Sequence, residues 1–187
     1  MGFQGQRVIP AIRSMKAFER FIESPMTYGI FLELHIGQLC NVCQLAATHD
    51  KKLLVHLDLI QGLKSDEYAV DFISQEAKPY GIISTRGNVI IKAKQKKLFA
   101  IQRMFLLDSH AFEKNISLLK KTSPNYVEVL PGIIPSVIHE TSIRTEIPIL
   151  AGGFITSEKE IEEAIRAGAT AVTTSKVDLW NYNFLKR

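Results

Sequence analysis

Apolar residues in this chain alternate between short unbroken runs and stretches in which they recur every three or four positions. The runs span Val8–Arg13, Gly29–Leu34, Leu53–Leu59, Gly81–Arg86, Phe99–Phe105, Tyr126–Leu130, Pro148–Gly152 and Ala171–Thr174. Their Val, Ile, Leu and Phe content suits strands buried on both faces. Between them, Ser14 can cap a helix with Phe18, Phe21 and Ile22 on one stripe. Gly37 to Thr48 reads as a second helix, with Leu39, Val42, Leu45 and Ala46 on one face. Ser65 or Asp66 can cap a third, with Ala69, Phe72 and Ile73 inward. Further helical patterns run from Asn88 to Lys97 and from Asp108 or Ser109 through Phe112, Ile116 and Leu119. The clearest start is the capping box Ser157-Glu158-Lys159-Glu160, followed by Ile161, Ala164 and Ile165 and stopped by Gly168.

Regular strand–helix alternation predicts a parallel sheet, and eight units favour closure into a (β/α)₈ TIM barrel. A single domain over residues 1–187 is expected. Such barrels typically take about 250 residues, so this one needs short loops and truncated helices. Asp178 to Arg187 reads as a shortened closing helix, with Trp180, Tyr182 and Phe184 packing it onto the barrel.

Composition changes this picture little. An apolar fraction of 46% supplies a core that needs no disulfide or metal. No apolar stretch reaches about 18 residues, the length a membrane helix needs. Met1 to Arg7 lacks the apolar core of a signal peptide, and Gln6 breaks the myristoylation pattern after Gly2, so a cytoplasmic protein is expected. The net charge of +4 permits an acidic partner such as RNA without requiring one. Cys40 and Cys43 form a C-x-x-C flanked by His35 and His49, from which a zinc or redox site can be drawn. Helical spacing alone also brings two small thiols to one face, and no metal is expected.

In strand–helix folds ligands gather where the strands end at their C-termini. The residues found there are Arg13, Glu33, His35, Asp58, Arg86, Arg103 and Glu128, then Gly152-Gly153 and Thr174-Ser175-Lys176. Gly152 and Gly153 let a phosphate approach backbone N–H groups, and Ser175 adds a hydroxyl and more donors. A phosphate site between the loops after strands seven and eight is a recurring feature of barrels. Glu33, Asp58 and Glu128 could accept hydrogen bonds from a polyol, or be neutralised by Arg13, Arg86 or Arg103. His56 shares a strand side with Asp58 and reads either as an acid–base group or as a hydrogen-bonded core histidine. No catalytic residue stands out, because no nucleophile elbow, P-loop, zinc-protease motif or dinucleotide fingerprint occurs.

Several ordered motifs carry a family resemblance over nearly the whole chain. They are Val55-His56-Leu57-Asp58-Leu59-Ile60 with Gly62-Leu63, Gly81-Ile82-Ile83-Ser84-Thr85-Arg86, and Ala100-Ile101-Gln102-Arg103 with Phe105-Leu106-Leu107-Asp108-Ser109. Val129-Leu130-Pro131-Gly132, Leu150-Ala151-Gly152-Gly153 and Leu179-Trp180 complete the set. Together they resemble the glycerol uptake operon antiterminator regulatory proteins. The resemblance implies a non-catalytic regulator that binds glycerol 3-phosphate as effector and acts on the leader mRNA of glycerol-utilisation operons, with a homodimer as one form it could take. Residue by residue, Gly152, Gly153 and Ser175 would hold the phosphate. Glu33, Asp58 or Glu128 would meet the glycerol moiety, supported by Arg86 or Arg103. For RNA, the candidates are Lys92, Lys94, Lys96 and Lys97, although on this feature alone a solvated helix face explains them better. The alternative is a TIM-barrel isomerase, aldolase or phosphodiesterase acting on a small phosphorylated substrate.

Overall fold

Eight parallel strands close on themselves in the computed structural model, which describes residues 2–182. They are β1 (Val8–Ile12), β2 (Tyr28–Phe31), β3 (Lys52–His56), β4 (Gly81–Ser84), β5 (Phe99–Phe105), β6 (Tyr126–Leu130), β7 (Ile149–Gly152) and β8 (Ala171–Thr174). Each pairs with its neighbour in sequence, and β8 closes the ring against β1 through Val8–Val172, Ile9–Thr173 and Pro10–Thr174. The chain therefore forms the (β/α)₈ TIM barrel that its periodicity predicts.

Strand alternation splits the core in two. Outward-facing residues such as Val55, Ala100, Val127 and Ala151 pack beneath the helices, while Ile9, Ile30, Leu54, Ile83, Ile101 and Leu150 fill the barrel. The N-terminal end of the barrel is plugged by Phe3, whose ring meets Tyr28, Phe99 and Tyr126 at centroid distances of 5.2, 5.8 and 4.8 Å. Tyr80 stacks on Phe99 at the same end.

The helices are α1 (Met15–Glu23), α2 (Ile36–Thr48), α3 (Glu67–Phe72), α4 (Gly87–Gln95), α5 (Ser109–Thr122), α6 (Pro135–Arg144) and α7 (Glu158–Arg166). Ser14, Asp66, Asp108 and Ser157 cap α1, α3, α5 and α7 through their side chains. The capping box of α7 is complete. Helix α6 escapes the sequence pattern because its buried stripe is only Ile138 and Thr141. A 3₁₀ turn over Val177–Asn181 follows β8, with Trp180 and Tyr182 buried. The rest of the expected closing helix, including Phe184, lies outside the described residues.

Two strands stop earlier than the apolar runs suggest. β2 ends at Phe31, and β3 at His56, where Leu57–Leu59 turns as a 3₁₀ helix. The chain beyond them pairs again over Leu34–Ile60 and His35–Gln61 as a separate two-stranded parallel sheet. Runs of apolar residues cannot show this break, because both the barrel strand and the added pair bury them.

Candidate functional site

One step beyond the apolar filling, the barrel interior turns polar. Two residues past Leu54, Ile101 and Tyr126 stand His56, Arg103 and Glu128, and two past Leu150 and Ala171 stand Gly152 and Thr173. Arg103 donates from Nε to Glu128 Oε2 at 2.6 Å, and Thr173 Oγ1 donates to Glu128 Oε1 at 2.8 Å. Glu128 is 1% exposed, so this pairing is what permits its charge inside the barrel. Gly152 lies against that pair. A Cβ there would stand 2.7 Å from Glu128 Oε1 and 2.6 Å from Thr173 Oγ1, so glycine is needed for the carboxylate–hydroxyl contact itself.

A cavity of about 290 Å³ opens over this floor, bordered by Arg103, Glu128 and Thr173 below and by the loops after β7 and β8. Thr174 ties the two loops together: its hydroxyl donates to the Ile155 carbonyl at 2.7 Å and accepts from the Lys176 N–H at 3.1 Å. Its own carbonyl accepts from Trp180 Nε1 at 3.0 Å. Gly153 has φ +78°, a left-handed conformation suited to glycine, and the next residue, Phe154, is also left-handed with its side chain 75% exposed. Arg13 and Lys176 add positive charge to the wall. Glu128 is paired with Arg103 and Arg13 with Glu33, whereas Lys176 has no ion pair among the described residues, so the cavity keeps a net positive charge and suits an anion. The N-terminus of α7 contributes little to it, because Glu160 accepts from the Thr156 and Ser157 N–H groups. Those bonds hold the Glu160 carboxyl below its usual range.

The structure brings Gly153, Ser175, Arg103 and Glu128 to this cavity and sets Gly152 under it. Asp58 stands elsewhere. Its Oδ1 accepts from Ser65 and Ser84 hydroxyls, both at 2.6 Å, and its Oδ2 from Thr85 N–H and Oγ1 at 2.7 and 2.8 Å. Burial alone would raise its carboxyl, but these bonds outweigh it and hold the group below the usual carboxylate range. All the acceptor sites are engaged, so Asp58 ties the turn after β3 to the end of β4. Glu33 is exposed and sits 4.0 Å from Arg13. Arg86 is exposed ahead of α4, with no ion pair among the described residues. Arg13, Thr173, Thr174 and Lys176 also line the cavity; their place at strand ends marked them in the sequence, but no ligand contact was assigned to them there.

His56 is 2% exposed, and neither ring nitrogen has a hydrogen-bond partner, unlike the hydrogen-bonded core histidine expected. Burial, reinforced by Arg103 and opposed by Asp58 and Glu128, pushes its pKa down to about 4, so the ring is neutral. The cysteines are both free thiols. Cys43 is buried, which together with the neighbouring Cys40 pushes its pKa up to about 12. The flanking histidines are turned to other work: His35 caps α2 through Nδ1, and His49 Nδ1 meets the Leu45 carbonyl. Among the described residues no group of three or more His, Cys, Asp or Glu is placed to hold a metal, and no helix is long and apolar enough to cross a membrane.

The four lysines around α4 separate into two kinds. Lys92 and Lys96 clamp Asp71 at 3.0 and 2.6 Å. Lys94 instead donates to the Ser123 carbonyl, and Lys97 is exposed.

Residues 8–180 match the family described as "Glycerol-3-phosphate responsive antiterminator". A glycerol uptake operon antiterminator regulatory protein from Listeria monocytogenes str. 4b F2365 superposes with a TM-score of 0.94 at 45% identity, over 97% of this chain and 98% of that one. A glycerol uptake operon antiterminator-related protein from Thermotoga maritima MSB8 gives a TM-score of 0.83 at 26% identity, over 94% and 98% of the two chains. The uncharacterized protein YgcP of Escherichia coli (strain K12) is 27% identical over 173 residues, which is 92% of this chain and 91% of YgcP.

Proposed function

Because the chain belongs to the glycerol-3-phosphate responsive antiterminator family, we propose that it senses glycerol 3-phosphate and, in the cytoplasm, acts on the leader mRNA of glycerol-utilisation operons to prevent early termination. The observation that carries this reading is the cavity over Arg103 and Glu128, which has a cationic wall at one side and a carboxylate floor at the other. In it, backbone N–H groups at Gly152–Gly153 and the Ser175 loop hold the phosphate, with Arg13 and Lys176 balancing its charge. The glycerol hydroxyls meet Glu128 and Thr173, with Glu33 at the rim beside Arg13. Asp58 and Arg86 act at one remove, by shaping the chain after β3 and β4.

The ligand is an effector and not a substrate in this reading. Glu128 has one oxygen on Arg103 and the other on Thr173, which leaves it a poor general base. Ligand binding biases a loop or dimer state that binds RNA better, a coupling that runs both ways.

The test is a phosphorus NMR titration of the protein with glycerol 3-phosphate, followed over hours. A shifted or broadened ligand line with no new product supports the sensor. A new, protein-dependent phosphorus resonance makes the protein an enzyme, and an unperturbed line removes the site.

A further inference from the structure

The lysines divide in a way that places the RNA. The last turn of α4 carries Lys92 and Lys94, the two residues after Gln95 are Lys96 and Lys97, and the last turn of α5 carries Lys120 and Lys121, with no carboxylate among them. Lysine is at home there, since helix C-termini favour cations. Lys96 is engaged by Asp71. Lys94, Lys97 and Lys121 make no ion pair among the described residues, and all three are exposed.

Lys94 and Lys97 border a second cavity of about 420 Å³, between the starts of β4, β5 and β6. Its floor is Tyr80 and Phe99, stacked at 5.3 Å between ring centroids. Asn125 forms part of its wall. Its Oδ1 accepts from the Ala100 N–H at 2.8 Å, which fixes the amide and leaves its NH₂ group as a donor. An apolar recess with one polar donor, rimmed by cations that have no anion of their own, matches single-stranded nucleic acid: base in the recess, phosphates on the lysines.

We infer that this recess at the N-terminal end of the barrel, with Lys94 and Lys97 on its border and Lys121 at the end of the neighbouring helix α5, is the surface that takes single-stranded leader RNA. The inference rests on the RNA-binding function proposed above. It also gives the two sites a shared element. β5 starts in the RNA recess at Phe99 and reaches the effector cavity at Arg103, about 13 Å further along at the usual strand rise. β6 runs beside it, from Asn125 just before its start to Glu128.

The full chain carrying K94E, K97E and K121E is compared with one carrying K16E, K114E and K159E, which reverses as many exposed charges elsewhere. The first variant is expected to bind leader RNA at least tenfold more weakly, with a salt dependence shallower by roughly 0.7 per lost phosphate contact. Its glycerol 3-phosphate titration should match the unaltered chain, which shows that the barrel is intact. N125D keeps the acceptor for Ala100 and adds a negative charge to the wall, and should weaken RNA binding several-fold. Equal losses in both triple variants, or undiminished binding by the first, overturn the placement. If the unaltered chain binds glycerol 3-phosphate but no leader RNA, the RNA-binding function itself falls and the placement with it.

Discussion

Arg103 and Glu128 stand in direct register on adjacent strands, their charged groups 2.6 Å apart inside the barrel. With 9% and 1% of their surfaces exposed, neither can lose the other cheaply. Glu128→Ala leaves an uncompensated buried guanidinium and should destabilise the fold by about 3–5 kcal/mol in urea unfolding. The double change Arg103→Met with Glu128→Leu removes both charges and should recover most of that loss, while glycerol 3-phosphate binding stays abolished. Recovery of binding in the double variant would take the pair out of the site.

Gly153 should separate stability from binding in the other direction. A Cβ there would make only ordinary contacts, the nearest with Leu130 at 3.5 Å, but φ is +78°. Gly153→Val should therefore cost about 1–2 kcal/mol for the left-handed backbone. It should also weaken glycerol 3-phosphate binding at least tenfold by filling the space over the loop. Unchanged affinity by calorimetry would remove that loop from the phosphate site.

His56 makes stability depend on pH. Its folded pKa of about 4 lies below the ordinary 6.5, so the unfolded chain takes up the proton first on acidification. Its contribution is present in full above pH 6.5 and fades down to about pH 4, a loss of about 3 kcal/mol. His56→Gln should flatten the unfolding free energy across that window. An unaltered pH profile would mean that the ring is not buried neutral.

Asp58 acts lower on the pH scale: its carboxyl is held below its usual value, so its stabilisation is full above the ordinary carboxylate range and is lost as pH falls from there through the lowered value. Asp58→Ala should cost about 2 kcal/mol, for the hydrogen bonds from Ser65, Ser84 and Thr85. Glycerol 3-phosphate affinity should stay within about threefold at neutral pH. A larger loss of affinity would make Asp58 a direct ligand of the glycerol.

The barrel was legible because its signals are local. Runs such as Phe99–Phe105 and Tyr126–Leu130 coincide with strands buried on both faces, and the Ser157–Glu160 box is a pattern contained in four consecutive residues. The site was legible in kind, as residues at strand ends, but not in membership. Whether a strand-terminal side chain faces the barrel depends on where the strand stops. β3 stops at His56, so the following turn carries Asp58 to Ser65, Ser84 and Thr85. At Gly152 the missing Cβ also makes room for Glu128 and Thr173, residues 24 and 21 positions away in sequence, a need that no local pattern displays. Likewise, Lys92 and Lys94 look alike in sequence, and only the approach of α3 gives Lys92 the carboxylate of Asp71.

The most direct test of the central claim is the affinity of the full chain for leader RNA, measured with and without saturating glycerol 3-phosphate at fixed salt. A sensor of this design should bind the RNA about 5- to 150-fold more tightly with ligand, and RNA should tighten glycerol 3-phosphate binding by the same factor. Equal RNA affinity in both conditions, with the ligand shown to be bound, would contradict the account.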